Sequence, residues 1–361
     1  MPDEDLPRIG GAPVVRLRAE PGGDGPAFVS ADVAPGRGML LLQARARFPG
    51  LGEIDLLTTP PLAEAARRLD GGPEDFAGNA AFGLGGAVLL PYANRIRGRP
   101  VEGAREIEAD ILGRTVRLPR NWGGKAPGAE QYAMHGLVLD KPMDRIERQT
   151  GDQRDAVLGV LHAGDFGGHW LSRTDVAFEI ALEAGALSLT VEARNVGDEP
   201  LPMGIGWHPW FNLPSGDRRQ ARLHVPAGAR TAVNDYDEVL PTGQAPPLAG
   251  TPYDFSAPGG AALGDLYLDD CFVDLRARDG RVAAEVVDPA AGFGLRVSAA
   301  SPHVTAFQVY APPDRALVVV EPQFNWANPF GPEWRGRDTG MVVLAPGQAV
   351  TYAARVELFL P

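Results

Sequence analysis

Apolar and polar residues alternate along much of this chain, which is the period expected of β-strands with one buried face. Residues 176–182 and 187–191 show this alternation on either side of Glu183-Ala184-Gly185. Because small and turn-forming residues separate two alternating runs of similar length, this part of the chain predicts a β-hairpin.

The same pattern recurs toward the C-terminus. Residues 273–297 predict a meander, with turns at Asp279-Gly280 and at residues 289–292. Residues 342–344 and 350–358 flank a Pro-Gly turn and predict a further pair of strands. Short strands that follow one another at intervals of roughly 8–12 residues are typical of β-sandwiches.

Only residues 61–69 show a helical pattern, with a proline at the start and Gly71-Gly72 just beyond the end. The Gly and Pro clusters are spread evenly, and none is long enough to read as a linker. We therefore predict an all-β fold, a large antiparallel β-sandwich, in a single domain over residues 1–361.

Two apolar tracts lead into ionisable side chains. Residues 316–320 predict a buried strand that runs into Glu321 and a proline, where desolvation should raise the carboxyl pKa toward the range of a general base. Residues 204–213 place His208 among aromatic residues, again beside a proline that breaks the strand pattern. Taken alone, Glu321 is better explained as a strand-end Glu that reaches solvent or pairs with an arginine, and His208 as a histidine in the core or at its rim. Together they suggest paired proton transfers on a neutral polyol.

Residues near these two could bind the same ligand. Gln323 lies two positions after Glu321 and should share its face of the strand. Trp207, Trp210 and Phe211 offer flat apolar surfaces on which sugar rings commonly rest, although aromatic residues in a strand are also ordinary core.

Three further segments carry polar side chains at strand ends. Asn94 and Arg95 follow an apolar run and can donate several hydrogen bonds to hydroxyl groups. His135 begins one predicted strand, and Asp269 and Asp270 precede another. For any of these segments alone, a surface turn is the simpler explanation.

The composition excludes several classes of protein. The net charge is -12, and we find no basic cluster interleaved with aromatic residues, so nucleic-acid binding is disfavoured. The single cysteine, Cys271, rules out an intrachain disulfide and fits a reducing compartment. The acidic start, Met1 to Asp5, leads into no apolar stretch, and no run of about 18 apolar residues occurs. We expect a soluble cytoplasmic protein that does not contact a membrane.

Other candidate sites do not fit known patterns. The spacing of His162, Asp165 and His169 in a Gly-rich loop matches no zinc site, so no metal is predicted there. Residues 83–86 lack the third glycine and the helix of a dinucleotide-binding fingerprint. Cys271 has no basic neighbour in sequence and is interpreted as a structural thiol.

Taken in order, the five polar segments resemble those of the aldose 1-epimerase (galactose mutarotase) family, from about Gly83 to the Pro-Gly turn near the C-terminus. Asn94-Arg95-Ile96 is similar to the family's sugar-binding Asn-Arg-Ile motif. His135-Gly136 is similar to its substrate-contacting His-Gly-Gly, with Leu137 in place of the second glycine.

The later segments carry the rest of the resemblance. His208, with the Trp-Phe-Asn-Leu that follows at residues 210–213, is similar to the family's catalytic histidine and its Tyr-Phe-Asn-Leu tail. Asp269 matches a substrate-binding aspartate, although Asp270 stands where histidine is frequent. Glu321 with Gln323 is similar to the catalytic Glu-x-Gln, but residues 324–326 depart from the expected Pro-Asp-Ala.

The resemblance implies a galactose mutarotase-like supersandwich that interconverts the α and β anomers of an aldohexose without metal or organic cofactor. It implies Glu321 as base and His208 as acid, acting from a shallow groove. The substrate-binding residues that it implies are Asn94, Arg95, His135, Asp269 and Gln323. We expect a monomer or homodimer that binds a small sugar as its substrate.

Alternatives remain open at this point. Arg95, Arg97 and Arg99 are compatible with a hexose 6-phosphate, because arginine clusters suit phosphate. A sugar-binding or sensing protein could have the same groove without catalysing the reaction. A glycoside hydrolase would need two acidic residues, which Glu321 with Asp269 or Asp270 could supply.

Overall fold

The computed structural model describes residues 6–124, 129, 131–300 and 302–361. The acidic segment Met1 to Asp5, which contributes to the expectation of a cytoplasmic protein, lies outside the described residues. Strands make up 48% of the structure and helices 7%, so the prediction of an all-β fold is confirmed. The division into a single domain stays a prediction.

The strands are numbered in chain order. The first fifteen are β1 (Arg8–Ile9), β2 (Ala12–Pro13), β3 (Val15–Arg18), β4 (Ala27–Ala34), β5 (Leu40–Phe48), β6 (Gly52–Asp55), β7 (Gly86–Leu89), β8 (Arg95–Arg97), β9 (Arg99–Pro100), β10 (Glu106–Ile111), β11 (Arg114–Pro119), β12 (Trp122–Gly123), β13 (Gln131–Met134), β14 (Arg145–Thr150) and β15 (Asp155–Gly164). The others are β16 (Thr174–Glu183), β17 (Ala186–Asn195), β18 (Leu201–Met203), β19 (Gly206–Asn212), β20 (Arg222–His224), β21 (Ala227–Arg230), β22 (Ala261–Ala262), β23 (Leu268–Leu275), β24 (Arg281–Asp288), β25 (Phe293–Ala300), β26 (Ala306–Ala311), β27 (Leu317–Gln323), β28 (Val342–Leu344) and β29 (Ala349–Phe359). Helix α1 spans Leu62–Arg68, and 3₁₀ segments span Pro73–Gly83, Arg218–Gln220 and Pro332–Trp334.

Two large antiparallel sheets contain most of these strands. The ten-stranded sheet has the order β21-β23-β26-β27-β19-β7-β5-β4-β3, with β6 paired to β5. The nine-stranded sheet has the order β14-β15-β16-β17-β29-β25-β24-β20-β22. The remaining strands form small sheets beside them, so the architecture is the large antiparallel sandwich that the alternating pattern predicts.

The two large sheets pack against each other through aromatic and aliphatic side chains. Phe48 of the ten-stranded sheet lies 4.9 Å, centroid to centroid, from Phe293 of the nine-stranded sheet. Tyr352 of β29 reaches across the core and donates a hydrogen bond of 2.8 Å to the carbonyl of Pro322 in β27. Burial of this continuous apolar layer is the main stabilising contribution. It leaves the other face of the ten-stranded sheet for polar side chains.

The local predictions that depend on one turn or one cap are confirmed. Helix α1 covers most of residues 61–69. Strands β16 and β17 pair from Thr174–Asn195 to Glu183–Ala186, around the predicted turn. No helix among the described residues is long and apolar enough to cross a membrane.

Predicted pairings between successive strands are partly wrong. In residues 273–297, β24 and β25 pair as expected, but β23 belongs to the opposite sheet, where its partners are β21 and β26. Near the C-terminus, β28 pairs with β18, whereas β29 lies between β17 and β25. Alternation identifies a strand with one buried face, but either sheet can bury that face, so the pattern does not identify the partner.

Candidate active site

Strands β19 and β27 are neighbours in the ten-stranded sheet, and their register brings His208 opposite Glu321. The strands pair at Gly206–Gln323 and again at Trp210–Val319, and the two ionisable residues lie midway between these pairs. Pro209 and Pro322, which have no N–H to donate, occupy the same interval. Both strands continue past their prolines, which corrects the expectation that Pro ends them.

The side chains of His208 and Glu321 meet directly. His208 Nε2 lies 3.4 Å from Glu321 Oε1, and both side chains are buried. Among the described residues, His208 Nδ1 and Glu321 Oε2 have no hydrogen-bond partner. Because a buried polar atom without a partner is costly, such atoms are uncommon in protein interiors. The described residues therefore leave the hydrogen-bonding capacity of these two atoms unused.

Burial displaces the pKa values of His208 and Glu321 in opposite directions. It lowers the pKa of His208 to about 4. Burial also raises the pKa of Glu321 well above its usual range, with a further contribution from the Asp269 carboxylate and partial compensation by Arg95. Low polarity disfavours the charged form of either group. Burial therefore favours the neutral imidazole of His208 and the neutral carboxyl group of Glu321.

His135 is the third ionisable group of this cluster. Its ring centroid lies 4.8 Å from that of His208 in an edge-to-face arrangement. Burial, with smaller effects of His208 and Arg95, lowers its pKa well below the usual value. His135 has φ of +61° and Gly136 has φ of +87°. A Cβ at Gly136 would lie 2.2 Å from the Leu90 carbonyl oxygen, so this turn requires glycine.

A chain of amides and carboxylates forms the wall next to Glu321. Asn94 donates from Nδ2 to Gln308 Oε1 at 3.0 Å, and Gln308 donates from Nε2 to Asp269 Oδ1 at 2.6 Å. Gln308 is the register partner of Glu321 on β26. Burial raises the pKa of Asp269, against the opposing influence of Arg95 and of the Gln308 hydrogen bond. The sheet register thus aligns hydrogen-bonding groups beside the His208–Glu321 pair.

Arg95 connects this wall to a loop above it. Its guanidinium donates to the Val239 carbonyl at 2.7 Å and lies 4.0 Å from Asp269 Oδ2. The Tyr132 hydroxyl donates to the Glu238 carbonyl of the same loop at 3.1 Å. The loop is therefore attached to strands β8 and β13.

These groups enclose a pocket of about 240 Å³. Its volume suits one small ligand with a few polar groups. The lining residues are Phe82, Asn94, Arg95, Trp122, Met134, His135, His208, Trp210, Tyr236, Asp237, Glu238, Val239, Tyr267, Asp269, Gln308, Tyr310 and Glu321.

Aromatic rings in contact with one another border the pocket. The ring centroids of His208 and Trp210 lie 5.7 Å apart. Those of Trp210 and Tyr310 lie 5.5 Å apart, and those of Tyr310 and Tyr267 lie 6.1 Å apart. On the other side, Phe82 lies 5.1 Å from His135 and 5.4 Å from Trp122. Trp122 is 48% exposed, which is unusual for so large an apolar side chain. Flat apolar rings around convergent hydrogen-bonding groups suit a polyol ring.

The structure brings most of the sequence-predicted site residues together. The pocket is lined by Asn94, Arg95, His135, His208, Asp269 and Glu321. Of the two aspartates only Asp269 lines the pocket, whereas Asp270 pairs with Arg230 and accepts from the Tyr236 hydroxyl. Of the three aromatic candidates only Trp210 lines the pocket, whereas Trp207 and Phe211 belong to the core.

Gln323 is the predicted binding residue that the structure does not bring to the pocket. Its side chain is fully buried, and Nε2 lies 3.8 Å from Cys271 Sγ. It shares the face of Glu321, as expected, but its register partner Ala306 belongs to an apolar cluster that includes Trp326. That cluster covers this part of the face, so the expectation of a sugar contact is corrected.

Other predicted groups also lie elsewhere. Arg97 and Arg99 line a different crevice, where Arg99 pairs with Glu108 at 3.2 Å. His162 contacts Asp175 at 3.0 Å and His169 contacts the Arg117 carbonyl at 2.7 Å, so these histidines point to different partners. Cys271 is buried, and burial raises its pKa to about 12, as expected of a structural thiol.

Several lining residues were missed in the sequence. The sequence does mark Gln308 as a candidate, because it is a polar residue within the apolar strand Ala306–Ala311. Tyr310 lies two positions later on the same face. No such feature marks the acidic loop residues Asp237 and Glu238, because their sequence resembles an ordinary solvated turn.

The residues at the base of the pocket are also of the types that bind metals. Candidate ligand atoms of His135, His208 and Glu321 all lie within 4.8 Å of one another. Two imidazoles and one carboxylate are a donor set that divalent transition metals accept. The expectation that no metal takes part stays a prediction.

Comparison with known proteins places this geometry in a family. Residues 66–357 match the model of the aldose 1-epimerase family. Comparison with curated protein sequences finds no significant match. Among solved structures, a galactose mutarotase-like protein from Clostridium acetobutylicum has a TM-score of 0.75 at 17% identity, with 98% of this chain and 97% of that chain covered.

Two further structures show the same fold at similarly low identity. A putative aldose 1-epimerase from Escherichia coli K12 has a TM-score of 0.65 at 17% identity, over 96% of this chain and 100% of that one. Galactose 1-epimerase from Lactobacillus acidophilus NCFM has a TM-score of 0.65 at 16% identity, over 96% and 98%. The structural likeness shows the shared fold, and the family match spans most of the chain. The chain is therefore a member of the aldose 1-epimerase family.

Proposed function

We propose that the protein catalyses the interconversion of the α and β anomers of an aldohexose. The observation that carries this proposal is the contact of His208 Nε2 with Glu321 Oε1 at 3.4 Å at the base of a polar, aromatic-bordered pocket. Membership of the aldose 1-epimerase family supports it. A protein of this kind needs one base and one acid that act on the same hemiacetal.

In the proposed mechanism Glu321 removes the proton from the anomeric hydroxyl while His208 protonates the ring oxygen. The ring C–O bond breaks and the aldehyde carbonyl forms. Rotation about C1–C2 and closure with the reverse proton transfers then give the other anomer. The pair starts and ends with one proton, so the reaction cycle balances. The reaction requires that this proton lie on the imidazole, and the contact of 3.4 Å between His208 Nε2 and Glu321 Oε1 allows its transfer from the carboxyl group.

The remaining polar residues orient the sugar. Asn94, Arg95, His135 and Asp269 surround the pair and offer donors and acceptors of the kinds that hydroxyl groups need. We propose that they hold the hydroxyls while C1 changes configuration. Gln308, which bridges Asn94 and Asp269, belongs to the same set.

The test is the decay of optical rotation of fresh α-glucose and α-galactose, measured with and without the protein. We expect accelerated decay that falls about 10³-fold in Glu321→Gln and in His208→Asn. His162→Asn is the matched control, because His162 is an exposed histidine that contacts Asp175 outside the pocket. Treatment with EDTA should leave the rate unchanged.

The outcomes separate this proposal from the alternatives. Unchanged decay together with sugar binding would contradict it in favour of a binding or sensing protein. Release of reducing ends from a glycoside would favour hydrolysis by Glu321 with Asp269, and a rate lost with EDTA and restored by a metal would favour metal catalysis. We further propose a cytoplasmic single-domain protein, as monomer or homodimer, whose partner is the sugar alone.

A further inference from the structure

The loop above the pocket is acidic and its shape is fixed by its own hydrogen bonds. The Asp235 carboxylate accepts from the backbone N–H groups of Asp237 at 3.0 Å and Glu238 at 2.8 Å. Asn234 and Leu240 close the loop through reciprocal hydrogen bonds of 2.8 and 2.9 Å. Together with the contacts of Arg95 and Tyr132 to loop carbonyls, this arrangement holds the loop at the pocket.

The loop contributes two acidic residues to the lining of the pocket. Asp237 and Glu238 both line it, and Asp237 is exposed. Glu238 Oε2 accepts from Asn234 Nδ2 at 2.9 Å, which orients its side chain. Both residues therefore contribute acidic character to the surface of the pocket.

Positive charge at the pocket is scarce. Among the described residues that line it, Arg95 is the one Lys or Arg, whereas the loop residues Asp237 and Glu238 are acidic. The Arg95 guanidinium is already engaged with the Val239 carbonyl and lies near Asp269. Arg315 stacks on Trp210 with its Cζ 5.2 Å from the ring, but it is exposed and does not line the pocket. An anionic group in this pocket would meet repulsion that these arginines do not offset.

We propose that Asp237 and Glu238 act as a charge filter, so that the pocket takes uncharged aldoses and discriminates against sugars that carry a phosphate or carboxylate group. The inference rests on the proposed function, because it specifies the substrate class of the same site. It disfavours the hexose 6-phosphate that the arginines at residues 95–99 kept open, since Arg97 and Arg99 serve another crevice. Like charges held close together in a partly enclosed pocket reduce affinity and association rate.

The experiment compares kcat/KM for glucose and glucose 6-phosphate, each corrected for uncatalysed decay. We expect the wild type to prefer glucose. The double variant Asp237→Asn/Glu238→Gln should raise the ratio of glucose 6-phosphate to glucose activity about tenfold at low ionic strength. The gain should shrink at about 0.5 M salt, because exposed charges are screened. Both substitutions keep the size of the side chain, and the amide oxygen introduced by Glu238→Gln can still accept from Asn234.

The control variant Asp24→Asn/Glu102→Gln removes two exposed carboxylates that do not line the pocket. It should leave the ratio unchanged, so that an effect of net charge alone is distinguished. A wild type as active on glucose 6-phosphate as on glucose would overturn the charge filter while the proposed function stood. A ratio that does not move in the loop variant, or moves equally in the control, would also overturn it. If no sugar is epimerised, the proposed function fails. The charge filter is then tested by calorimetry, which compares the binding of glucose with that of glucose 6-phosphate.

Discussion

The ten-stranded sheet contains two buried carboxylates in opposite situations. Asp32 on β4 is fully buried and accepts hydrogen bonds from Arg16 Nε at 2.6 Å, Arg16 Nη2 at 2.9 Å and Arg45 Nη1 at 3.4 Å. Glu321 on β27 is buried to nearly the same degree, yet its closest ionisable neighbour is an imidazole, and Oε2 has no partner among the described residues. The two carboxyl groups are thus buried to a similar degree but differ in the hydrogen bonds that they accept.

The difference separates a carboxylate that stabilises structure from one that is available for chemistry. Hydrogen bonds from Arg16 and Arg45 use the lone pairs of Asp32, so little is left for a ligand. Glu321 has one carboxyl oxygen without a partner among the described residues and a raised pKa. Perturbed groups of this second kind concentrate at functional sites.

The sharpest test of the comparison exchanges each carboxylate for its amide. Glu321→Gln should lower kcat about 10³-fold in polarimetry, because the amide cannot accept the anomeric proton. Its stability should stay near that of the wild type, since the amide needs no counter-ion. Asp32→Asn should lower the free energy of unfolding by about 3 kcal/mol, because Arg16 is left buried without its charge partner.

Both variants are measured by polarimetry and by urea denaturation. The folded fraction of Asp32→Asn should retain wild-type kcat. If Asp32→Asn lost activity while fully folded, or Glu321→Gln kept it, the division between the two regions would be wrong.

A second effect follows from the buried neutral histidine. The pKa of His208 is about 4 in the folded protein, against an ordinary value near 6.5, so the unfolded chain binds a proton first as the pH falls. Stability is therefore fully present above pH 6.5 and is lost progressively toward pH 4. We expect His208 to account for about 3 kcal/mol of that loss.

The measurement is denaturant unfolding at several pH values for the wild type and for His208→Asn. The variant, which has no ionisable group at this position, should lose less stability between pH 7 and pH 4. The control His162→Asn removes an exposed histidine whose pKa is raised by Asp175, so it cannot reduce the acid loss in this way. Parallel pH curves for wild type and His208→Asn would show that His208 is not buried in its neutral form.

Sequence alone identified the strands and most of the polar residues because those depend on local patterns. Glu321 and His208 each stand out as ionisable groups within apolar runs, and their strands form where expected. The sheet to which a strand belongs is a long-range property, so β23 was assigned to the wrong neighbours. Asp237 and Glu238 reach the pocket only because hydrogen bonds from Arg95 and Tyr132 hold their loop there.

Adjacent aspartates repeat the comparison on a single strand. Asp269 lines the pocket and accepts from Gln308, whereas Asp270 is paired with Arg230 on the other face of β23. Asp269→Asn should raise KM about tenfold, because a charged acceptor for a sugar hydroxyl is lost, with little change in stability. Asp270→Asn should lower the free energy of unfolding by about 2 kcal/mol and leave KM near the wild-type value. Steady-state kinetics and urea denaturation of the two variants check this, and a KM effect at Asp270 would reverse the assignment.

Gln323 could break the comparison, because it combines features of both regions. Like Glu321 it is buried with an unpartnered oxygen among the described residues, yet it lies under the apolar cluster that includes Trp326 and its amide contacts Cys271. If unpartnered atoms alone marked function, Gln323→Met would impair sugar binding. From its position we expect KM to change by less than about twofold, since no sugar contact is lost.

The matched control is Gln308→Met, the same substitution in the pocket wall, which should raise KM about tenfold by removing hydrogen bonds to Asn94 and Asp269. Equal KM values for the two variants would contradict the assignment of Gln308 to the pocket wall and of Gln323 to a position outside the pocket.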